Sequence, residues 1–541
     1  MKTIIYQLLP RLFTNTTPNC QPNGTLLQNG CGKLNDITPE RLSKIRELGT
    51  THIWFTGVIA HATKTDFSRW GIPRQHPSVV KGEAGSPYAI TDYYDIDPAL
   101  ACDVDRRMDE FQALIDRTHQ AAMKVIIDFV PNHVARQYNS ICRPDGIDNL
   151  GHNDDNTKFF DPQNNFYYIT GQAFAPHFNI GNYREMPARA TGNDCFSASP
   201  SENDWYETIK LNYGIAPWNG SKHFDPIPDT WRKMLHILRF WAAKGIDGFR
   251  CDMAHMVPVE FWHWAISQIK ADFPSIIFIA EIYDTNLYKD YVEYGGFDFL
   301  YDKVTLYDTL INILCHNQST QSITHCWQTI GDLEPHMLNF LENHDEQRLA
   351  SPQLTGNSVA AMPALMVSAT ISTAAMMIYA GQELGEPALD AEGFSGQDGR
   401  TTIFDYWSVP SLRRWLTTGR APRLRQQYAK ILRLCNTEPA ITDGVRFDLM
   451  YANPQLNRQY AFFRRHGNDL LLITANFDCQ AVDFTLNIPE HAFQYLNITP
   501  GNYRASDLLS RDRIDLHLNP AQNITISLTP YGSAIWKIRL K

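Results

Sequence analysis

No CxxC pair and no Cys/His cluster of zinc-binding spacing occurs anywhere in the 541 residues, although ten cysteines are scattered through them. A structural zinc site and a redox dithiol are therefore not expected, and free buried thiols are. Cys142 and Cys195 are candidates for a bridge only in an exported protein. Positive charge is also scarce: 48 Lys and Arg stand against 58 Asp and Glu, a formal net charge of −10. No basic cluster or stripe interrupts that balance, so no nucleic-acid partner is expected. A phosphate-binding glycine loop and a nucleotide-binding pattern are missing too.

Long apolar runs are nearly absent. The opening stretch MKTIIYQLLPRLF has one Lys, an apolar run broken by Gln7 and Pro10, and no small-residue cleavage site. It reads as a first structural strand rather than a signal peptide, which makes the expected compartment cytoplasmic. One segment, Ser358 to Gly381, carries no charge over its whole length and imitates a membrane span. Pro363 and the scattered Ser and Thr fit a buried helix running into a buried strand better, so no membrane partner is expected.

What is present is the composition of a folded soluble protein, 43% apolar and 20% charged. The length suits one large α/β barrel with an accessory domain, or three ordinary domains. Short β-branched or aliphatic runs alternate with amphipathic helical stretches, the pattern of a parallel sheet with helical crossovers. Candidate strands are TIIYQL, THIWFTG, VIIDFV, IDGFRC, SIIFIAE, DFLY, MLNFLEN and MMIYAG. Eight such strands close a (β/α)8 barrel. Thr38 with Pro39 starts the helix ERLSKIREL, and Gly49 stops it.

Two regions break the alternation. From Val134 to Asp229 the chain turns polar and rich in Asn, Asp and Gly, far too long for a plain loop, and predicts a small inserted domain after the third strand. From Glu438 onward, short strands between turn residues predict a C-terminal antiparallel β-sandwich domain. The expected organisation is a barrel over 1–133 and 230–437, an inserted domain over 134–229, and a β domain over 438–541.

Barrel enzymes carry their reactive groups at the C-terminal ends of the strands. Those ends read DFVPNH, GFRCD, AEIYD and LENHD, each with an acidic residue and two with a histidine. Singly, each has a structural explanation. Asp128 suits a carboxylate held by backbone N–H groups, Glu281 a helix cap, and Asn343 with Asp345 a turn. Arg250 and Asp252, two apart and so on one face of a strand, suit a structural ion pair. Four such ends on one face of a barrel are harder to explain structurally.

These four stretches, in this order, resemble the conserved stretches of the α-amylase family of glycoside hydrolases. The similarity extends to SPYAITDYYDIDP after strand two, to the insertion and to the β domain. The resemblance implies Asp252 as nucleophile, Glu281 as general acid and base, and Asp345 as a third carboxylate gripping sugar hydroxyls. Arg250 would hold Asp252 ionised, His133 and His344 would bind hydroxyls, and Tyr88 would stack beneath the reacting sugar. Retaining cleavage needs a charged nucleophile beside a protonated acid, so the pKa of Asp252 is expected to be low and that of Glu281 high. Trp70, Trp205, Trp218 and Trp407 are candidates for sugar-stacking positions, though aromatic residues more often line cores.

The resemblance implies no organic cofactor. It allows calcium, with Asn132 as the matching ligand; the acidic HNDDN stretch suits either a hard cation or a solvated loop. Where many members carry Lys-His after the nucleophile, this chain has His255 and Met256, which leaves the leaving-group side open. The expected activity is retaining hydrolysis of α-1,4-glucosidic bonds in starch, glycogen-derived or malto-oligosaccharide chains. Alternatives are a transglycosylase, an exo-acting, α-1,6- or disaccharide-specific enzyme of the same fold, and a non-catalytic carbohydrate-binding member.

Overall fold

Eight buried runs form the frame of the molecule: β1 Ile4–Leu8, β2 His52–Phe55, β3 Lys124–Phe129, β4 Gly248–Cys251, β5 Ile277–Ala280, β6 Phe299–Tyr301, β7 Met337–Phe340 and β8 Ala375–Tyr379. Six fall within the stretches expected from the sequence, and β3 and β8 begin one residue earlier, at Lys124 and Ala375. Each pairs in parallel with its sequence neighbours, and β1 pairs with β8 to close the barrel. The structure, a computed structural model, describes residues 2–388, 403–520 and 522–541.

The strands read as unbroken apolar runs because both of their faces are covered. Ile5, Trp54, Ile126, Ile279, Leu338 and Met377 point inward and form one small cluster. The alternate residues, among them Ile4, Ile53, Val125, Phe278 and Met376, join the larger core shared with the helices. Burial of each such side chain contributes about 1.5–3 kcal/mol, so the barrel interior is a packed layer rather than a pore. Arg250 interrupts this layer. It lies in register with Asp128 on β3 and Ile279 on β5, at the end of the barrel where the strands finish.

The helix Pro39–Arg46 starts as its sequence predicts, with Thr38 Oγ1 accepting from the Arg41 N–H and Pro39 in the first turn. The chain then turns at Gly49, whose φ of 102° is one that side-chain-bearing residues rarely adopt and where a Cβ would come within 3.0 Å of the Leu432 backbone. Helices Arg107–Gln120, Asp229–Ala243 and Val259–Asp272 each turn an apolar stripe to the strands. The uncharged segment resolves into the fully buried helix Met362–Thr370 followed by β8, with Pro363 tolerated in the first turn. Among the described residues no helix is long and apolar enough to cross a membrane.

After β3 the chain leaves the barrel through a strand at His133–Ala135, which pairs antiparallel with Thr208–Lys210. Between them lie the short pair Tyr168–Ile169 and Ala188–Arg189 and a small apolar cluster around Ile169, Phe174 and Tyr183. Arg136, fully buried, ties this stretch together through Glu185 Oε1 at 2.7 Å and the Tyr206 carbonyl at 2.6 Å. HNDDN is a turn: Asp154 accepts from the backbone N–H groups of Asn165 and Phe166 and from the Tyr168 hydroxyl, and exposed Asp155 pairs with Lys158.

The C-terminal part holds β9 Val445–Asp448, β10 Gln459–His466, β11 Asp469–Asn476, β12 Val482–Leu486, β13 Gly501–Asp507, β14 Arg513–Leu518, β15 Ile524–Leu528 and β16 Ser533–Arg539. Six of them form an antiparallel sheet in the order β9-β10-β11-β16-β13-β14, and β12 pairs with β15. On β15, Ile524, Ile526 and Leu528 are buried and the residues between them exposed, the alternation of a strand covering a core on one face. All ten cysteines are unpaired, Cys142 and Cys195 included.

Candidate active site

The guanidinium of Arg250 sits at the floor of a cleft of about 380 Å³ above the C-terminal ends of the strands. Its Nη1 lies 2.8 Å from Asp252 Oδ1 and its Nη2 2.8 Å from Glu281 Oε1. Nε donates to the Tyr301 hydroxyl at 3.2 Å, and Asp128 Oδ1 stands 3.7 Å from Nη1. One fully buried cation thus joins two carboxyls that enter the cleft from adjacent strands. Asp128 does not line the cleft; its Oδ2 accepts from the Gly57 N–H, the structural role its sequence context allows.

The chain brings these groups together by a sharp turn. Met253, directly after Asp252, adopts the left-handed conformation with φ 44° and ψ 44°, which costs a residue with a side chain about 1–3 kcal/mol. Its N–H donates to Glu281 Oε2 at 2.9 Å. The Tyr283 hydroxyl donates to Glu281 Oε1 at 2.6 Å. Glu281 therefore accepts two hydrogen bonds beside the charge of Arg250, while Asp252 accepts one, from Arg250 Nη1.

The two carboxyls shift in the directions opposite to those expected. Burial, and then the charge of Glu281, push Asp252 well above the usual carboxylate range against the pull of Arg250. Burial also pushes Glu281 up, but Arg250, Tyr283 and the Met253 N–H together outweigh it and hold the carboxyl below its ordinary value. The contacts of the free site thus favour the neutral form of Asp252 and the charged form of Glu281. Neither Tyr283 nor the Met253 N–H was weighed in the sequence, which is why the opposite order was expected.

His344 and Asp345 follow β7 and reach the same cleft. His344 Nδ1 lies 2.8 Å from Gln7 Nε2, and Nε2 lies 2.5 Å from the Tyr88 hydroxyl and 3.2 Å from Asp345 Oδ2. With Gln7 donating to Nδ1, the neutral ring carries its proton on Nε2, facing the cleft. Burial and the nearby Arg250 charge lower its pKa to about 3. His133, buried at the opposite wall, is likewise lowered to about 3 by burial and then by Lys210 and Lys81. Tyr88 lines the cleft with its ring tilted against His344. All seven residues expected to serve catalysis and sugar binding thus lie in or directly beneath one cleft.

Asn132 behaves differently from its expected role. Its amide oxygen accepts from the Lys210 ammonium, which also lies 2.8 Å from Asp194 Oδ1 and 3.3 Å from the Met256 carbonyl. Calcium takes six to eight oxygens at about 2.3–2.6 Å. With an ammonium at their centre, the residues around Asn132 do not fit that ion.

Of the four candidate tryptophans, Trp205 lines the cleft, its ring 5.3 Å from that of His133. Trp407 is buried, Trp70 lies beneath the Arg69 guanidinium beside Phe67, and Trp218 stands exposed against Phe160. Gln7 and Tyr283 were not singled out in the sequence. A polar residue inside the apolar run of β1 was a signal for the first, and a tyrosine two places from Glu281 for the second. A larger surface cleft, of about 640 Å³ beside residues 14–36, contains none of these groups.

The model of the α-amylase catalytic domain matches residues 7–402. The chain belongs to the α-amylase family. It is 23% identical over 494 residues to a cyclomaltodextrinase of a Bacillus species, covering 88% of this chain and 72% of that one. To the α-amylase of Streptomyces lividans it is 24% identical over 481 residues, 81% of this chain and 50% of that protein. Several curated relatives, that one among them, are thus matched over only about half their length. The fold agrees with the crystal structure of a maltogenic α-amylase from Thermotoga neapolitana at a TM-score of 0.67 and 18% identity, over 100% of this chain and 99% of that one.

Proposed function

We propose that the chain is a retaining glycoside hydrolase acting on α-1,4-glucosidic bonds in starch, glycogen-derived or malto-oligosaccharide chains. The observation that carries this reading is the single Arg250 guanidinium reaching both Asp252 and Glu281 at the cleft floor. Retaining enzymes hold their two carboxyl groups about 5–5.5 Å apart, so that one attacks the sugar carbon while the other protonates the leaving oxygen.

In this reading Asp252 attacks the anomeric carbon and Glu281 gives its proton to the glycosidic oxygen. A glycosyl-enzyme ester forms, and Glu281 then takes a proton from the water that cleaves it. The productive state needs the proton on Glu281, whereas the contacts of the free site favour its charged form. A sugar that displaces Tyr283 from Glu281 removes one of those contacts and so favours the protonated acid. Asp345 and the neutral His133 and His344 supply acceptors and donors for the sugar hydroxyls, and Tyr88 and Trp205 supply flat apolar faces.

A glycosyl-enzyme is open to attack by a sugar hydroxyl as well as by water, which keeps transfer within the same chemistry. The unpaired cysteines support a reducing, cytoplasmic setting. The test is Glu281→Gln, which keeps the shape of the side chain and removes its proton chemistry. Loss of turnover on maltodextrin with an unchanged melting temperature is expected, and near-normal activity contradicts the assignment.

A further inference from the structure

We propose that the Lys210 ammonium takes the place of a divalent cation, fastening the inserted stretch to the barrel beside the cleft, and that the protein therefore needs no calcium. Three oxygens from three separate segments converge on Nζ. The Asn132 amide comes from the turn just after β3, the Asp194 carboxylate from the inserted stretch, and the Met256 carbonyl from the turn after Asp252. An amide, a carboxylate and a backbone carbonyl are hard oxygen donors of the kind calcium collects. An ammonium offers three protons, one for each of them.

The side chain is built into this position. Lys210 is buried, and its strand pairs with the strand of His133, those two residues being in register. Burial lowers the pKa of Lys210 and the Asp194 charge opposes that shift, as expected of a cation kept charged by its partner. The Asn132 Nδ2 is held by the Gly192 carbonyl at 2.7 Å and approaches His133 Nδ1 at 3.2 Å. Lys210 is thus a positioning residue. It sets the start of the strand after β3 that carries His133 and the turn that follows Asp252, and its fixed charge helps keep His133 neutral, as a metal ion at the same point would.

An ordinary buried ion pair predicts nothing about calcium, and the experiment separates the two. The full chain and Lys210→Ala are melted in EDTA and in calcium chloride, and calcium binding to each is followed by titration calorimetry. The wild type is expected to melt at one temperature in both and to bind no calcium. Lys210→Ala is expected to melt lower in EDTA, or to fold only with calcium, and to recover part of the loss with saturable calcium binding. Lys210→Met, which fills the space without charge, is expected to melt lower than the wild type and to gain nothing from calcium. A wild type that loses stability in EDTA and regains it with calcium overturns the proposal. So does Lys210→Ala that takes up no calcium, or Lys210→Met as stable as the wild type.

Discussion

The Tyr283 hydroxyl donates to Glu281 Oε1 at 2.6 Å, so the residue two places after the candidate acid holds it in its charged form. Removing that donor with Tyr283→Phe raises the pKa of Glu281. A hydrogen bond to a charged group contributes about 1.5–3 kcal/mol, or roughly one to two pH units. The alkaline limb of kcat/KM against pH, which reports the free enzyme, is expected to move upward by up to that amount, because the acid keeps its proton longer. An unmoved limb in a folded variant contradicts the role given to Tyr283.

Arg250 stands among three carboxylates, and its two Nη atoms divide between Asp252 and Glu281. Arg250→Lys keeps the charge but loses the fork, so one carboxyl loses its partner. A fall in kcat on the order of a hundredfold or more is expected. Arg250→Leu leaves buried like charges without a counterion and should cost about 3–5 kcal/mol of stability as well. Chemical denaturation and initial rates measure both; full activity in Arg250→Lys contradicts the bridging role.

Trp205 is the one candidate tryptophan at the cleft. Trp205→Ala should raise KM for oligosaccharides about two- to tenfold through loss of a stacking face, with a smaller effect on kcat. Trp218→Ala, at an exposed ring outside the cleft, should leave both constants unchanged. Equal effects of the two substitutions contradict the placement.

His52, buried at the start of β2, has its pKa lowered to about 4 by burial and then by Lys124. The unfolded chain binds its proton near pH 6.5, before the folded chain does. Its contribution to stability is therefore whole above pH 6.5 and is lost as the pH falls toward 4, at up to about 1.4 kcal/mol per pH unit. Because Asp128 and Asp302, pushed up to about 6, act in the opposite sense, the comparison must be with His52→Gln. The unfolding free energy of that variant should fall less than that of the wild type between pH 6.5 and 4, and a constant difference contradicts the shift.

The barrel was legible because its strands are covered on both faces, so runs such as VIIDFV stand out from amphipathic neighbours. The site was legible because its carboxylates and histidines sit at strand ends in short contiguous motifs. What the sequence did not show depends on contacts across the fold. Lys210 meets Asn132 only through the pairing of Thr208–Lys210 with His133–Ala135. Gln7 reaches His344 only because β1 lies on the barrel wall near β7. Asp252 and Glu281 shift against the expected directions because burial and the Glu281 charge raise the first, while Arg250, and after it a tyrosine hydroxyl and a backbone N–H, lower the second.

The central claim is that Asp252 and Glu281, bridged by Arg250, cleave α-glucosidic bonds with retention. It is tested most directly by following maltoheptaose with proton NMR and reading the anomer of each newly formed reducing end before mutarotation. Shorter oligosaccharides released as the α-anomer are the predicted result. Release of the β-anomer, or no cleavage, contradicts it.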